Sequence, residues 1–186
     1  MYAEFERGRL ARLQHGKLDE FAIPAKYSGP SNLIDAGGTL WFYERVGKKY
    51  AAFEGGRFFE IPSDDAVTLL VPGIANDAWA LVARGGGNST ITRAFFLKHL
   101  RIGRPPDAFP ITTINGIESM AVASDGSVWL GEALWPTLAH FEPKRASFTE
   151  FALAGAGRYG WVRDIRRAPD GKLYVLLNDH QVGVIP

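Results

Sequence analysis

One pattern recurs along the chain: a turn signal, a small or apolar residue, and then an aromatic residue. The recurring aromatic residues are Tyr2, Trp41, Trp79, Trp129 and Tyr174, separated by 39, 38, 50 and 45 residues. A second marker, Phe-x-Ile-Pro, occurs at 21–24 and again at 59–62, which is 38 residues later. Two markers in step indicate internal repeats whose length, about 40–50 residues, is that of one four-stranded unit.

Each repeat divides into short strands. Apolar and β-branched runs occupy 32–35, 39–44, 49–53 and 57–61 in one repeat, and 119–123, 127–131, 137–141 and 147–153 in another. Gly, Pro, Asn or Asp turns separate the runs, and Asp-Gly between such runs indicates a hairpin. Four strands per repeat predict an all-β fold, a β-propeller of about four to five four-stranded blades. A β-sandwich also has short strands, but it does not require the recurrence.

The repeats set the expected domain boundaries. We expect a single domain over 1–186, with a partial blade at 1–24, complete blades at about 25–62, 63–110 and 111–153, and a partial blade at 154–186. The window 91–100 is ambiguous, and its Thr-Ile-Thr start favours a strand over a helix. We expect an irregular loop at 85–89, and we expect the tryptophan and phenylalanine side chains to lie in the core.

The partial blades at the two ends affect how the propeller is expected to close and whether the chain associates with itself. Since both ends are out of phase with the blades, the chain is expected to be an arc of a larger propeller or a ring that closes imperfectly as four blades. An open arc exposes strand edges and apolar blade faces, which favour self-association.

The composition of the chain limits the classes of binding partner to be expected. The chain has 21 Lys+Arg, 20 Asp+Glu, a formal net charge of +1 and no cysteine. Because the charges nearly cancel, the chain has no broad positive electrostatic potential to attract nucleic acid or an anionic membrane. We therefore expect neither as a partner. The absence of cysteine excludes disulfides and thiolate nucleophiles. With no signal peptide and no 18-residue apolar run, the sequence as written predicts a soluble, cytoplasmic protein.

Five segments carry a family resemblance: Phe-x-Ile-Pro at 21–24, a Trp-containing strand that ends in Glu at 40–44 and again at 128–132, and the segments 140–144 and 148–151. They resemble the repeats of the streptogramin B lyase (virginiamycin B lyase) family. The resemblance implies a propeller and, for an enzyme of this kind, metal-assisted elimination that opens a cyclic depsipeptide at an ester. In the family, a His begins an inner strand and a Glu closes the following Trp-containing strand, fourteen residues later. The segment 162–176 also resembles a blade of quinone-dependent sugar dehydrogenases.

The family spacing selects candidate site residues. In one repeat, Glu118 stands at the His position and Glu132 at the Glu position; in another, Arg163 and Leu177 stand there. Glu44 also stands at a Glu position, and the corresponding His position holds Pro30, or Ser31 if a one-residue gap is allowed. No repeat carries both the His and the Glu. By this register Ser31, Glu118 and Arg163 begin innermost strands, and we predict that they bind ligand at the mouth of the channel.

The same residues allow more than one chemistry. Glu118 with Arg163 suits a polar ligand, while the carboxylates of Glu118 and Glu132 suit Mg²⁺ or Ca²⁺. A simpler interpretation of the first pair is a salt bridge that lines a wet channel. A simpler interpretation of Glu44 and Glu132 is that they end strands and accept turn N–H groups. No catalytic residue is assigned, because the four histidines lack metal-binding spacing and no nucleophile motif is present.

Two functions follow from this pattern. The first is a binding or scaffold module that holds a small polar ligand or a protein segment at the propeller channel. The alternative is a metal-assisted C–O lyase or hydrolase that acts on a cyclic depsipeptide, an ester or a sugar-type substrate. A general base needs both reach and a suitable pKa, and no residue offers both, so the sequence favours the binding module.

Overall fold

The computed structural model describes residues 1–4, 6–84, 94–112, 116–133, 135–153, 160–178 and 180–185. Regular structure in these residues consists of strands alone, which confirms the all-β prediction. No helix among them is long and apolar enough to cross a membrane. The loop predicted at 85–89 lies outside the described residues, as do positions 91–93.

Five antiparallel sheets follow one another along the chain, and each is a meander of consecutive strands. The first contains β1 (Tyr2–Glu4), β2 (Arg9–Gln14) and β3 (Lys17–Ala22). The second contains β4 (Pro30–Ala36), β5 (Thr39–Glu44), β6 (Lys49–Glu54) and β7 (Arg57–Pro62). The third contains β8 (Ala66–Pro72), β9 (Ala78–Arg84), β10 (Ala94–Leu100) and β11 (Asp107–Pro110).

The last two sheets continue the series. The fourth contains β12 (Ile117–Val122), β13 (Val128–Glu132), β14 (Thr137–Glu142) and β15 (Ser147–Ala152). The fifth contains β16 (Val162–Arg167), β17 (Leu173–Leu177) and β18 (Val182–Ile185). The predicted strands of the second and fourth sheets are confirmed to within two residues at each end, and the ambiguous window is a strand from Ala94 onward.

The middle strands of the second sheet show why the aromatic pattern folds in this way. Trp41 and Phe42 are adjacent in β5 and both are fully buried, as are Tyr50 and Ala51 in β6. Since neighbouring side chains in a strand point to opposite faces, both faces of these strands are covered. This burial is typical of a sheet that is packed between other layers.

The chain divides into two compact units, Met1–Arg84 with His99–Asp107, and Gly85–Lys98 with Ala108–Pro186. The core of the first unit includes Leu10, Ile23, Phe42, Ala51 and Phe53, from its first two sheets and the segment that joins them. In the second unit, a core cluster joins the fourth and fifth sheets. Its buried members are Ala121, Leu138, Val162, Ile165, Leu173, Val175 and Leu177. The single-domain boundaries stay a prediction.

The tryptophans are not uniformly in the core. Trp41 and Trp79 are buried, whereas Trp129 is only partly buried and Trp135 is 63% exposed. Trp135 lies in the connection between β13 and β14 rather than in a strand. For Trp135 the core prediction is wrong, because the residue does not belong to the recurring aromatic position. It is also wrong for Phe151, which is 44% exposed on the edge strand β15.

The strand that begins each of the last four sheets, which we call its leading strand, contains a β-bulge near its start. The bulges lie between Ser31 and Ile34 in β4, Val67 and Leu69 in β8, Ile117 and Ser119 in β12, and Val162 and Asp164 in β16. A bulge inserts an extra residue that bends the strand and redirects a side chain, and bulges are frequent beside functional sites. The predicted site residues therefore fall at or beside a repeated irregularity.

Candidate functional site

A pocket of about 700 Å³ lies in the first unit where β4 and β8 begin. It is lined by Ser31, Asn32, Tyr43, Arg45, Lys48, Asp64, Asp65, Ala66, Val67 and Thr68. This volume is within the usual range for small-molecule sites in proteins. One of the three predicted ligand-binding residues, Ser31, therefore lines a pocket of suitable size.

The bulges of the two leading strands both contribute residues to the lining. Ser31 pairs with Tyr43, and its hydroxyl donates to the Tyr43 carbonyl oxygen at 3.1 Å. The next residue, Asn32, has a φ of 55°, so its backbone is left-handed and its exposed side chain lines the pocket. In β8 the extra residue of the bulge is Thr68, which is also exposed.

The base of the pocket is fixed by the carboxylate of Asp65, whose side chain is only 3% exposed. It accepts hydrogen bonds from Arg84 Nε at 2.5 Å, Ser63 Oγ at 3.1 Å and the Tyr50 hydroxyl at 3.4 Å. The ion pair with Arg84 balances the buried charge, and a buried charge without such a partner is strongly unfavourable. Asp65 is thus a structural acid that accepts hydrogen bonds from three donors.

Tyr43 joins the wall of the pocket to this base. Its hydroxyl donates to the Asp65 carbonyl oxygen at 2.7 Å. Burial raises the pKa of Tyr43, and the negative charge of Asp65 raises it further. The phenol therefore stays protonated at neutral pH and holds the connection between β7 and β8 in place as a neutral donor.

The rim of the pocket carries three exposed charges. Arg45 and Lys48 lie in the turn between β5 and β6, and Asp64 precedes β8. None of the three has an ion-pair partner among the described residues. Since Arg84 balances Asp65, the charges left over at the pocket are two cations and one anion.

The other two predicted residues meet in the second unit. Glu118 and Arg163 are the extra residues of the bulges in β12 and β16, and Arg163 Nη1 lies 3.5 Å from Glu118 Oε2. Their side chains are 44% and 52% exposed. The structure thus brings Glu118 and Arg163 together as an open ion pair, and exposed pairs of this kind contribute little to stability. Their role in ligand binding stays a prediction.

The predicted metal pair is less complete. Glu132 is buried at the end of β13, opposite Ile117, whereas Glu118 is exposed and already faces Arg163. Among the described residues, no group of three or more His, Cys, Asp or Glu side chains is arranged to hold a metal ion. Ca²⁺ and Mg²⁺ take about six or more oxygen ligands. Glu118 and Glu132 would by themselves supply only part of such a ligand set, and the Mg²⁺ or Ca²⁺ site stays a prediction.

The interpretation of Glu44 as an acceptor of turn N–H groups is wrong. The N–H groups of Arg45, Val46 and Gly47 instead donate to the backbone carbonyls of Ser28 and Gly29. The Glu44 side chain is fully buried, and no donor among the described residues reaches either carboxyl oxygen. Burial raises its pKa to about 7, with a further contribution from the negative charge of Glu60.

Sequence reasoning missed most of this pocket, although one signal was available. Thr68 lies fourteen residues before Val82, which is the third residue after Trp79, just as Glu118 lies fourteen before Glu132. The same count in the third sheet would therefore have selected Thr68. Arg45, Lys48 and Asp64 carry no comparable signal, because the turns that hold them have no counterpart motif in the other repeats.

No protein-family model matches the sequence, and no curated protein matches it. Solved structures do resemble it. Virginiamycin B lyase from Staphylococcus aureus, in a catalytically inactive form with quinupristin, superposes with a TM-score of 0.65 at 16% identity over 98% of this chain and 64% of that one. The β-propeller domain of Cps50 (Swd1) from Myceliophteria thermophila gives 0.60 at 13% identity over 100% and 64%. YCF48 bound to D1 peptide gives 0.59 at 13% identity over 92% and 54%.

The fold is a β-propeller. This confirms the predicted fold class and, at the level of fold, the resemblance to streptogramin B lyase repeats. The chain spans 64% of the length of the virginiamycin B lyase chain. Since a lyase and a peptide-bound protein are both similar to it, the propeller fold fits either function class.

Proposed function

We propose that this chain is a β-propeller binding module that holds a small polar ligand or a protein segment in the pocket at the start of β4 and β8. The observation that carries the proposal is a pocket of about 700 Å³ whose base is fixed by the Asp65 network. A preformed base reduces the ordering that binding requires, which favours affinity.

The chemistry of the lining supports binding over catalysis. The residues that line the pocket include no histidine. Of its two carboxylates, Asp65 accepts hydrogen bonds from three donors, and Asp64 is exposed at the rim rather than enclosed in the pocket. A general base needs a free lone pair within reach of the substrate and a pKa near the working pH. The exposed groups Asn32 and Thr68 instead offer donors and acceptors that orient a bound molecule.

The similar structures give examples of both ligand types. Virginiamycin B lyase was solved with quinupristin, and YCF48 was solved with a peptide. At 13–16% identity these are analogies of fold alone. In the second unit we propose that the open pair of Glu118 and Arg163 is a further polar contact for a ligand.

A pocket-filling variant tests the proposal. Polar fragments and short peptides would be screened by ligand-observed NMR against the native chain and against Thr68→Trp, which places a large side chain in the pocket. Thr149→Trp is the matched control, because Thr149 is exposed on β15 in the other unit. Ligands that bind the native chain and the control but not Thr68→Trp would support the site. Ligands that bind all three equally would exclude this pocket.

The remaining predictions have their own tests. Binding that is unchanged in Thr68→Trp but lost in Glu118→Ala or Arg163→Ala would move the site to the second unit. Ring opening of a cyclic depsipeptide in the presence of Mg²⁺, followed by mass and lost in Glu132→Gln, would establish the metal-assisted lyase instead.

Self-association is proposed from an exposed apolar face of the last sheet. Tyr174 and Leu176 in β17 pair with Val184 and Val182 in β18, and all four side chains are exposed. Contiguous exposed apolar residues commonly mark interaction surfaces. Sedimentation analysis of the native chain and of Val182→Lys would test this, since the substitution should disperse any oligomer that uses this face.

A further inference from the structure

The charges at the pocket allow a more specific statement about the ligand, which rests on the proposed function. Two cationic side chains, Arg45 and Lys48, are exposed at the rim without an ion-pair partner among the described residues. The single rim anion without a partner is Asp64. Asp65 adds no attraction for a cation, because Arg84 pairs with it and two hydroxyl groups also donate to it.

The backbone at Lys48 is a second, independent feature. Lys48 has a φ of 51°, in the left-handed region where glycine is favoured and an L side chain is strained. It ends the turn between β5 and β6, and its carbonyl oxygen accepts the Ser63 N–H at 2.8 Å. A lysine in a glycine-type position, with no charge partner of its own, is suited to an incoming anion.

A matched position elsewhere lacks the lysine. Ala146 ends the turn between β14 and β15 with a φ of 50°, so it has the same left-handed backbone. Its short side chain brings no charge, and it does not line the pocket. The cation at position 48 is therefore not a requirement of this turn geometry.

The uncharged groups of the lining complete the description. Asn32 and Thr68 lie at the two bulges, and the side chain of each offers both a hydrogen-bond donor and an acceptor. A hydroxyl group on a ligand can both donate and accept, so these side chains suit a hydroxylated ligand. A guanidinium group binds a carboxylate with two parallel hydrogen bonds, and an ammonium group adds a mobile point charge. We propose that the pocket binds a small hydroxylated organic anion, whose carboxylate is held by Arg45 and Lys48 and whose hydroxyl groups contact Asn32 and Thr68.

Three probes of one shape test the charge preference. D-gluconate, D-sorbitol and 1-amino-1-deoxy-D-sorbitol share a six-carbon hydroxylated chain and differ at one end, which is anionic, neutral or cationic. Isothermal titration of the native chain should show D-gluconate binding at least about tenfold more tightly than either of the others. The preference should weaken in 0.5 M salt, because salt screens exposed charges.

Two variants assign the preference to residues. Lys48→Gly removes the charge and suits the left-handed backbone, so the fold should persist while D-gluconate affinity falls about tenfold. Arg45→Gln should reduce the affinity by a similar factor. Ala146→Gly, which makes the same backbone change outside the pocket, should bind D-gluconate as the native chain does.

The outcomes separate this inference from the proposed function. If D-sorbitol or the amino sugar alcohol binds as tightly as D-gluconate and binding is lost in Thr68→Trp, the anion preference is overturned while the binding module stands. D-gluconate affinity unchanged in both Lys48→Gly and Arg45→Gln would also overturn it. If none of the three probes binds, the inference fails, and the fragment screen with Thr68→Trp decides the proposed function separately.

Discussion

The second and fourth sheets differ at one equivalent position, two residues after the repeat tryptophan. The second sheet has Tyr43 there, which lines the pocket and bonds to the Asp65 carbonyl. The fourth sheet has Gly131, and a Cβ atom added to it would overlap Val162 of β16 and the Ser119 hydroxyl. In one sheet a large side chain borders an open pocket, whereas in the other a glycine lets the next leading strand pack directly against β13. A single side chain therefore helps decide whether neighbouring blades enclose a cavity.

The largest expected effect contrasts the tryptophans of these two sheets. Trp41 is fully buried and its Nε1–H donates to the Asn76 carbonyl at 2.9 Å, while Trp129 is partly buried against His140 and Phe151. Trp41→Ala should lower the free energy of unfolding by about 3–5 kcal/mol. Trp129→Ala should lower it by roughly 1–3 kcal/mol. Urea denaturation measures both, and equal losses would remove the contrast between the sheets.

The next effect comes from Glu44, which ends β5. Its carboxyl is buried beside Glu60, which in turn is paired with Lys49 at 2.6 Å. Burial and the charge of Glu60 raise the pKa of Glu44 from 4.5 to about 7 in the folded chain. The folded state therefore binds a proton more tightly than the unfolded state, and folding is most favoured when Glu44 is protonated.

The sign of the pH dependence follows. Below pH 4.5 the Glu44 carboxyl is protonated in both the folded and the unfolded state. Between pH 4.5 and about 7 it is protonated in the folded state but ionised in the unfolded state, so the free energy of unfolding falls as the pH rises. The full loss is on the order of 3 kcal/mol and is complete above about pH 7. Glu44→Gln mimics the protonated acid, so it should flatten this part of the stability curve and stabilise the chain at pH 8.

Denaturation at several pH values checks this expectation. Glu150→Gln, at an exposed position on β15, is the control and should leave the slope unchanged. A Glu44→Gln chain that loses stability across pH 5–7 as steeply as the native chain would show that another group carries the dependence.

A third test acts on the glycine itself. Gly131→Ala forces a methyl group into the contact with Val162 and Ser119, and overpacking of this kind costs about 1–3 kcal/mol. Gly183 in β18 is the matched control, since a Cβ atom there would meet Val175 at an ordinary 3.8 Å. Gly183→Ala should therefore be neutral or slightly stabilising. If both substitutions change the free energy of unfolding equally, close packing at Gly131 does not explain the contrast between the fourth sheet and the second.

These contrasts explain what the sequence could predict. The strands and the blade period were predictable because aromatic residues, Asp-Gly turns and Phe-x-Ile-Pro recur where packing requires them. The meeting of Glu118 with Arg163 was predictable because a fixed spacing places both at the same bulge position in successive sheets. The pocket was not predictable, since it depends on Tyr43 in place of glycine and on Lys48 in a turn, and neither belongs to the repeat.

The smallest expected effect sharpens the comparison at the turns. Lys48 and Ala146 both end a turn with left-handed backbone, so replacing either with glycine relieves strain in the folded state and adds freedom to the unfolded state. The first effect exceeds the second, and both Lys48→Gly and Ala146→Gly should stabilise the chain by about 0.5–1 kcal/mol. Equal stabilisation by urea denaturation would mean that the lysine side chain adds nothing to folding. A loss of stability in Lys48→Gly alone would show instead that the lysine supports its own turn, and the case for an anion site would lose one of its two supports.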